Sequence, residues 1–378
     1  MRSKMKMAPL ALAALFAAQA SAAEQIVKIG VSGPLSGANA FAGKDNENGV
    51  RLAVEELNAQ KIQVGGNVLR FVLQSEDDAG DPKQGVNVAQ KFADAGVKYV
   101  LGPYNSGVAI PASRVYNDNG ILMSTVGTNP KITAAGYPTV FRIVASDTQV
   151  GASVAGYAAK ELKVKNVGVI DDRTAFGQGI AMEFKRQAQK AGIKVAGHEF
   201  TNDKASDFSA ILTSLRAKKV DAIFFGGYAP QGAPMARQMK QLGLNVRMMG
   251  GDGICSDEIH KLSGGTMQDG QVVCAEAGGV QGEAKAGMDK FRADYRKRFG
   301  IDVQINAPYA YDATMAMAEA MVKAGSSAPA KYLPVLAQIQ YQGITGPIAF
   351  DARGDIRDGT ITLYTFKGGK RSMIAVTK

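Results

Sequence analysis

Short apolar runs alternate with longer segments of helical periodicity along most of this chain. Residues 26–32 alternate in the manner of a strand. Val50, Ala53 and Leu57 then recur at helical spacing, and residues 68–74 form a second strand-like run. This order of strand, helix and strand is typical of an α/β fold in which helices connect parallel strands.

The same alternation continues through the rest of the chain. Asp81 and Pro82 mark a helix start, because Asp is a good N-cap and Pro suits the first helical position. Further strands are predicted at 99–101, 121–123, 167–170, 193–195, 222–225, 246–249, 346–350 and 360–366. Further helices are predicted after Ser106 and near 175–191, 206–217, 229–242, 283–299, 307–323 and 329–338. The pattern predicts two parallel sheets with helices on both faces, and two such lobes enclose a cleft.

Two loops of small polar residues, 102–107 and 124–129, follow neighbouring predicted strands. In open α/β sheets, ligands bind at the carboxyl ends of the strands. Ser106 opens a helix after its strand, and a hydroxyl beside a positive helix end suits a carboxylate. Thr128 and the carbonyl groups near it suit an ammonium group. The alternatives are that Ser106 or Asn105 only caps the helix and that Thr128 is an ordinary turn residue.

The second half of the chain places comparable residues just after its strands. Tyr228 follows two glycines past one strand, and Asp252 lies between glycines past the next. Asp172 and Phe176 follow a third strand. An exposed Asp in a turn is ordinary, so each residue alone is weak evidence. Together they predict a small polar ligand held between two lobes.

The first 22 residues have the pattern of an export signal. Three basic residues precede an apolar run over 8–18, and small residues at 20–22 supply a cleavage site. The run is too short to span a bilayer. We therefore expect cleavage after Ala22 and export of the remaining chain. The formal charge of +10 is spread among interspersed acids and bases, so nucleic acid is not an expected partner.

Cysteine and histidine are rare, which limits the possible chemistry. Cys255 and Cys274 are the two cysteines of the sequence. In an oxidising compartment such a pair usually forms a disulfide, and two separate buried thiols are the alternative. The two histidines, His198 and His260, have no metal-ligand spacing, so no metal site is expected.

Catalytic motifs are incomplete in this sequence. Residues 37–44 look like a phosphate-binding loop, but the glycine spacing is one residue too long and Asp45 stands where Ser or Thr is needed. No serine lies in a G-x-S-x-G elbow. His198 and Glu199 lack the second histidine of a zinc protease. We expect neither enzymatic activity nor a cofactor.

Several segments resemble one known family. These are Ser36-Gly37, residues 78–84, Asn105-Ser106 with residues 111–113, and the runs 120–123, 225–228 and 346–351. Together they resemble the periplasmic substrate-binding proteins of branched-chain amino acid ABC transporters. The resemblance implies an α/β, type I periplasmic binding protein fold with two doubly wound parallel-sheet lobes joined by three crossovers. It divides the chain into a signal peptide (1–22), a first lobe (23–143 plus 277–357) and a second lobe (144–276 plus 358–378).

The resemblance also implies a function. The protein would bind a small α-amino acid, with leucine, isoleucine or valine expected, in the cleft between the lobes. It would act as a periplasmic monomer without membrane insertion and deliver its ligand to the permease subunits of an ABC transporter. The alternative is a sensing module that binds another small amino acid, amide or carboxylate and passes its bound state to a receptor.

Residue roles follow from the same resemblance. Ser106, Gly127 and Thr128 match the positions that contact the carboxylate and ammonium groups in the first lobe, and Tyr228 and Asp252 match their partners in the second. Relatives often carry Glu at the position of Asp252, so the shorter side chain implies slightly further closure.

Other positions in the implied pocket depart from the family pattern. Phe176 stands where relatives often have Tyr, so it keeps a stacking wall and loses a hydroxyl. Tyr104, Asn105 and Phe41 are the remaining predicted lining residues. Some relatives bridge the positions of Gly80 and Asn105, whereas here the cysteines lie elsewhere.

Overall fold

The computed structural model describes residues 23–279, 284–357 and 359–377. The predicted signal peptide, residues 1–22, lies outside the described residues. Among the helices that are described, none combines the length and the apolar character needed to cross a membrane.

The first sheet is built from the N-terminal strands. They are β1 (Glu24–Gly33), β2 (Gln63–Val64), β3 (Asn67–Asp77), β4 (Tyr99–Leu101), β5 (Leu122–Thr125) and β6 (Val140–Arg142). Their order across the sheet is β2-β3-β1-β4-β5-β6. All neighbouring pairs are parallel except the edge hairpin β2–β3. Gly65 and Gly66 form its two-residue turn with φ values of 59° and 85°, the left-handed conformations such a hairpin turn requires.

The second sheet contains most of the remaining strands. They are β7 (Asn166–Asp171), β8 (Lys194–Phe200), β9 (Ala222–Gly226), β10 (Arg247–Gly250), β11 (Val272–Ala277), β14 (Ile361–Lys367) and β15 (Lys370–Thr377). Their order is β15-β14-β11-β10-β9-β7-β8. Strands β7 to β11 are parallel, and β14 and β15 extend one edge in antiparallel pairing. Strands β12 (Tyr341–Gly343) and β13 (Gly346–Ile348) form a separate hairpin.

Helices cover the sheets. They are α1 (Ala40–Gln60), α2 (Pro82–Asp94), α3 (Ser106–Asp118), α4 (Lys131–Ala134), α5 (Asp147–Lys160), α6 (Ala175–Lys190), α7 (Ser209–Ala217), α8 (Ala229–Gln241), α9 (Glu258–Leu262), α10 (Ala284–Phe299), α11 (Ala307–Ala324) and α12 (Pro329–Ala337). The predicted cap of α2 is confirmed, since the Asp81 carboxylate accepts from the backbone N–H groups of Lys83 and Gln84 at 2.8 and 2.9 Å. The start predicted for α10 at residue 283 lies outside the described residues.

The two sheets form two lobes that touch each other. The chain passes to the second sheet after β6, returns after β11 to helices that pack on the first lobe, and enters the second sheet again after β13. One hydrophobic cluster extends from Leu101 in the first sheet through Tyr104 and Phe176 to Phe224 in the second. The predicted two-lobed α/β class is therefore confirmed, with antiparallel strands added at the sheet edges and in the separate β12–β13 hairpin.

Candidate functional site

The loop that follows β4 leads into the first turn of α3. Ser106 is the first residue of this helix and is buried. Its hydroxyl oxygen accepts a hydrogen bond from the backbone N–H of Asn129 at 3.3 Å. The first N–H groups of a helix have no acceptor within the helix, and the helix dipole makes this end positive. The start of α3 therefore offers a hydroxyl and N–H groups to an anion.

The loop that follows β5 lies against the first loop. The Thr125 hydroxyl joins them, because it donates to the Pro103 carbonyl at 2.7 Å and accepts from Gly127 N–H at 2.9 Å. A Cβ atom added to Gly127 would lie 3.6 Å from the Ser106 hydroxyl oxygen. Thr128 is buried beside them, and its hydroxyl has no hydrogen-bond partner among the described residues. Ser106, Gly127 and Thr128 therefore form one surface.

Three buried aromatic rings meet from the two lobes. Tyr104 follows β4, Phe176 lies in the first turn of α6, and Tyr228 precedes α8. The ring centroids of Phe176 and Tyr228 are 4.9 Å apart, and those of Tyr104 and Tyr228 are 6.0 Å apart. Phe41, in the first turn of α1, is partly buried and packs against both large hydrophobic clusters. These rings form an aromatic wall between the lobes.

Polar groups interrupt this aromatic wall at the Tyr228 hydroxyl. Burial has the largest effect on Tyr228 and raises its pKa well above the usual value. The neighbouring Tyr104 and Asp172 raise this pKa further, and a hydrogen bond with the Asn105 side chain lowers it in part. Asn105 precedes α3 and is buried, and its Oδ1 has no hydrogen-bond partner in the described part of the chain. Tyr228 and Asn105 thus bring polar groups of opposite lobes together.

Asp252 begins a short 3-10 turn, Asp252–Ile254, after β10. The residue is 7 % exposed, and its Oδ1 has no partner within residues 23–279, 284–357 and 359–377. Burial raises the pKa of its carboxyl group to about 7, although the N–H groups of the turn lower it in part. A Cβ atom added to Gly253 would lie 2.6 Å from the Phe176 ring, so the turn packs against the aromatic wall.

The predicted disulfide is confirmed. Cys255 and Cys274 are bonded, with their Cα atoms 5.3 Å apart. Cys255 directly follows the turn that carries Asp252, and Cys274 lies in β11. The disulfide therefore fastens the Asp252 turn to the second sheet.

Asp147 is a site residue that the sequence reasoning missed. It is the first residue of α5 and is fully buried, and neither carboxylate oxygen has a partner in the described ranges. Its backbone N–H donates to the Thr128 carbonyl at 2.9 Å. Burial and the charge of Asp252 raise the pKa of Asp147 well above its usual value, while Thr128 and Arg142 lower it in part. An acid that follows the apolar run 143–145 after a single serine was the available signal.

Asn129 is the second missed residue. Its Nδ2 donates to the Ala175 carbonyl at 2.7 Å, which joins the loop after β5 to the start of α6 in the other lobe. A Cβ atom added to Gly179 would lie 2.4 Å from this Nδ2. No local pattern in the sequence indicates this contact, because its two sides are 46 residues apart.

Comparisons with known proteins agree on the family. The sequence profile of a family described as periplasmic binding protein matches residues 26–370 of this chain. The chain belongs to the periplasmic binding protein family. A leucine-, isoleucine-, valine-, threonine- and alanine-binding protein of Pseudomonas aeruginosa is 35% identical, over 95% of this chain and 97% of its own length.

Solved structures have the same fold as this periplasmic binding protein. A leucine-binding protein, LivK, of Thermotoga maritima has a TM-score of 0.84 at 26% identity, over 93% of this chain and 98% of that one. An ABC transporter substrate-binding protein of Desulfitobacterium hafniense, in complex with Leu, has a TM-score of 0.76 at 27% identity, over 93% and 100%.

The polar groups of this periplasmic binding protein divide by charge. The start of α3 presents donors, whereas Thr128, Asp147 and Asp252 present acceptors that lack partners in the described structure. A buried carboxylate without a partner costs several kcal/mol, so a cationic group from a ligand would relieve this cost. No cluster of three or more metal-ligating side chains occurs in the described ranges. The arrangement suits a small zwitterion.

Proposed function

We propose that this protein binds a small α-amino acid between its lobes. The ligand carboxylate binds Ser106 and the N-terminal end of α3, next to Gly127. The ammonium group binds the Thr128 hydroxyl and the Asp252 carboxylate, with Asp147 close behind. The observation that carries this proposal is the buried Asp252 Oδ1, which has no partner among the described residues and lies in the same site as a positive helix end.

The ligand side chain is aliphatic and packs on the aromatic wall. Phe176, Tyr104 and Tyr228 supply apolar faces, and Phe41 covers the edge. Burial of a branched aliphatic side chain contributes about 1.5–3 kcal/mol. A micromolar Kd requires about 8 kcal/mol, so both charged ends of the ligand must also be paired. Asn105 and the tyrosine hydroxyls set the size and polarity limits of the pocket.

The protein works by lobe closure and serves transport. The ligand docks on the first lobe, and the second lobe then adds Tyr228 and Asp252 and excludes water. We assign the mature protein to the periplasm as a monomer after removal of residues 1–22, with delivery to the permease subunits of an ABC transporter. The names of its relatives support this assignment, since one is a leucine-, isoleucine-, valine-, threonine- and alanine-binding protein and another an ABC transporter substrate-binding protein.

Isothermal titration calorimetry on the purified full-length mature protein tests the proposal. L-Leucine, L-isoleucine and L-valine should bind with micromolar or tighter Kd. The matched acid 4-methylpentanoate, which lacks the ammonium group, should bind at least about 100-fold more weakly, because it leaves Asp252 unpaired. Equal affinity for 4-methylpentanoate, or binding of benzoate in preference to every amino acid, would refute the proposed ligand class.

A further inference from the structure

A single buried arginine holds the loop that carries Thr128. Arg142 ends β6 and is 1 % exposed. One terminal guanidinium nitrogen donates to the carbonyls of Thr128 at 2.9 Å and Asn129 at 2.8 Å. The other donates to the Thr133 hydroxyl at 3.1 Å and to Asp355 Oδ1 at 2.5 Å. The planar guanidinium fork makes all four contacts at once, which a lysine ammonium group cannot reproduce in this geometry.

The two carbonyls held by Arg142 belong to a loop with two functions. Thr128 presents its free hydroxyl to the site, and its carbonyl also accepts from Asp147 N–H. Asn129 donates its backbone N–H to Ser106 and its Nδ2 to Ala175 of the opposite lobe. The guanidinium therefore supports, from behind, both the ligand-facing side of the loop and its contact with the second lobe.

Asp355 brings a distant part of the chain to this point. It lies between β13 and β14, in the segment that returns to the second lobe. The backbone N–H of Arg142 donates to the Gly354 carbonyl at 2.8 Å, and Ile356 N–H donates to the Arg142 carbonyl at 3.1 Å. Arg142 and its backbone contacts thus join two of the connections between the lobes, after β6 and after β13, to the Thr128–Asn129 loop.

We infer that Arg142 is a positioning residue of the amino-acid site, and that Asp355 holds its guanidinium on the Thr128–Asn129 loop. The inference rests on the proposed amino-acid binding. When Asp355 loses its charge, the guanidinium loses its counterion on that side, and its charge acts more strongly on the buried Asp147 carboxylate, which lacks a described partner. The loop then loses its support, and Asp147 gains a counterion that competes with the ligand ammonium group.

The Asp355→Asn variant tests this inference by calorimetry with L-leucine from pH 5.5 to 8. The side chain of Asp355 is 29 % exposed, so folding should survive the change. We expect Kd to rise about tenfold, consistent with loss of a charge-assisted hydrogen bond. We also expect the pH at which leucine affinity falls to shift downward, because Arg142 then stabilises the ionised form of Asp147. Asp252 and Glu183 are the other charges acting on Asp147.

Glu199→Gln is the matched control, because its side chain is 28 % exposed and pairs with Lys218 at 2.7 Å, away from the site. Glu199→Gln should leave both the leucine Kd and its pH profile unchanged.

An unchanged Kd in Asp355→Asn, or a higher Kd with an unmoved pH profile, overturns the positioning role of Arg142. If that variant does not fold, Thr133→Val replaces it, with a threefold rise in Kd expected and no rise as the refuting result. Failure of the wild-type protein to bind any amino acid would instead refute the proposed function.

Discussion

Replacement of Asp252 by Asn should weaken amino-acid binding and stabilise the ligand-free protein at the same time. Asn keeps the size of the side chain and removes only the charge. The carboxyl group is buried, and its Oδ1 has no partner in the part of the chain that the structure describes. In the ligand-free protein this charge therefore lowers the stability of the fold, and in the complex it pairs with the ligand ammonium group.

The two effects differ in sign and can be estimated separately. Loss of one partner of a buried ion pair costs about 2–5 kcal/mol, or about 30- to 5000-fold in Kd. Asp147 remains beside the ammonium group, so we expect about 100-fold. For stability, the folded-state pKa of Asp252 is about 7, against 3.8 without burial. A raised carboxyl pKa means that stability is lost as pH rises from 3.8 to 7, and Asn avoids this loss of at most about 4 kcal/mol above pH 7.

Calorimetry with L-leucine at pH 7.5 measures the first effect, and urea unfolding of the ligand-free protein measures the second. Asp294→Asn is the control, since that aspartate pairs with Lys290 on the exposed face of α10. It should change neither Kd nor unfolding free energy by more than a few tenths of a kcal/mol. Unchanged leucine affinity in Asp252→Asn would refute its role as the ammonium partner. Reduced stability at pH 7.5 would refute the account of its burial.

Three further predictions follow from the same geometry. Leucine affinity should rise about tenfold between pH 6 and pH 8, because the ammonium group requires ionised Asp252, and calorimetry across this range measures it. Simultaneous Cys255→Ser and Cys274→Ser substitution should lower the unfolding free energy by about 3 kcal/mol in urea, since the closed loop is lost. Gly179→Ala should raise the leucine Kd about tenfold, because the new Cβ atom would lie 2.4 Å from the Asn129 Nδ2 and keep the lobes apart. Calorimetry measures the Kd, and small-angle scattering measures the separation of the lobes.

Each of these predictions has a result that contradicts it. The affinity profile of Asp252→Asn should be flatter than that of the wild type, because only Asp147 is left to titrate, so the same slope in that variant would assign the pH effect to another group. Unfolding of wild-type protein with and without reductant should reproduce the double-serine result, and no difference would contradict the disulfide estimate. Gly156→Ala, in α5, is the control for Gly179→Ala, because a Cβ atom at Gly156 would meet nothing within 4 Å. Equal Kd values for the two alanine variants would refute the closure argument.

The fold followed from the sequence wherever burial and periodicity agreed. Strands such as β9 are buried along their whole length and end at glycine, so their apolar runs are unambiguous. Helix α5 was missed because residues 150–158 are mostly small, which gives little contrast between its faces. The antiparallel direction of β14 was also missed, because a strand that ends a sheet has the same apolar pattern in either direction.

Residues of the candidate site were predictable only where a local sequence pattern indicated them. Ser106 and Asp252 each follow a strand, so each lies at the carboxyl edge of its own parallel sheet, where ligands bind in open α/β sheets. Arg142 lies in the apolar run 140–145 and was not singled out, yet it makes a contact across 213 residues with Asp355. Asp147 opens a helix like any capping residue. Contacts of this kind depend on how two lobes pack, and single-sequence periodicity contains no information about that packing.

The missed residues change the physical account of ligand capture. If Asp252 acted alone, the second lobe would supply one carboxylate as the counterion of an ammonium group. Asp147 is buried in the same lobe, and the charge of Asp252 raises the pKa of Asp147 further, so ionising both carboxyl groups is costly without ligand. An ammonium group offsets this cost, whereas a ligand without a cationic group does not. We therefore expect the proposed site to favour ligands that carry an ammonium group, and the aromatic wall to discriminate among amino acids by the shape of the side chain.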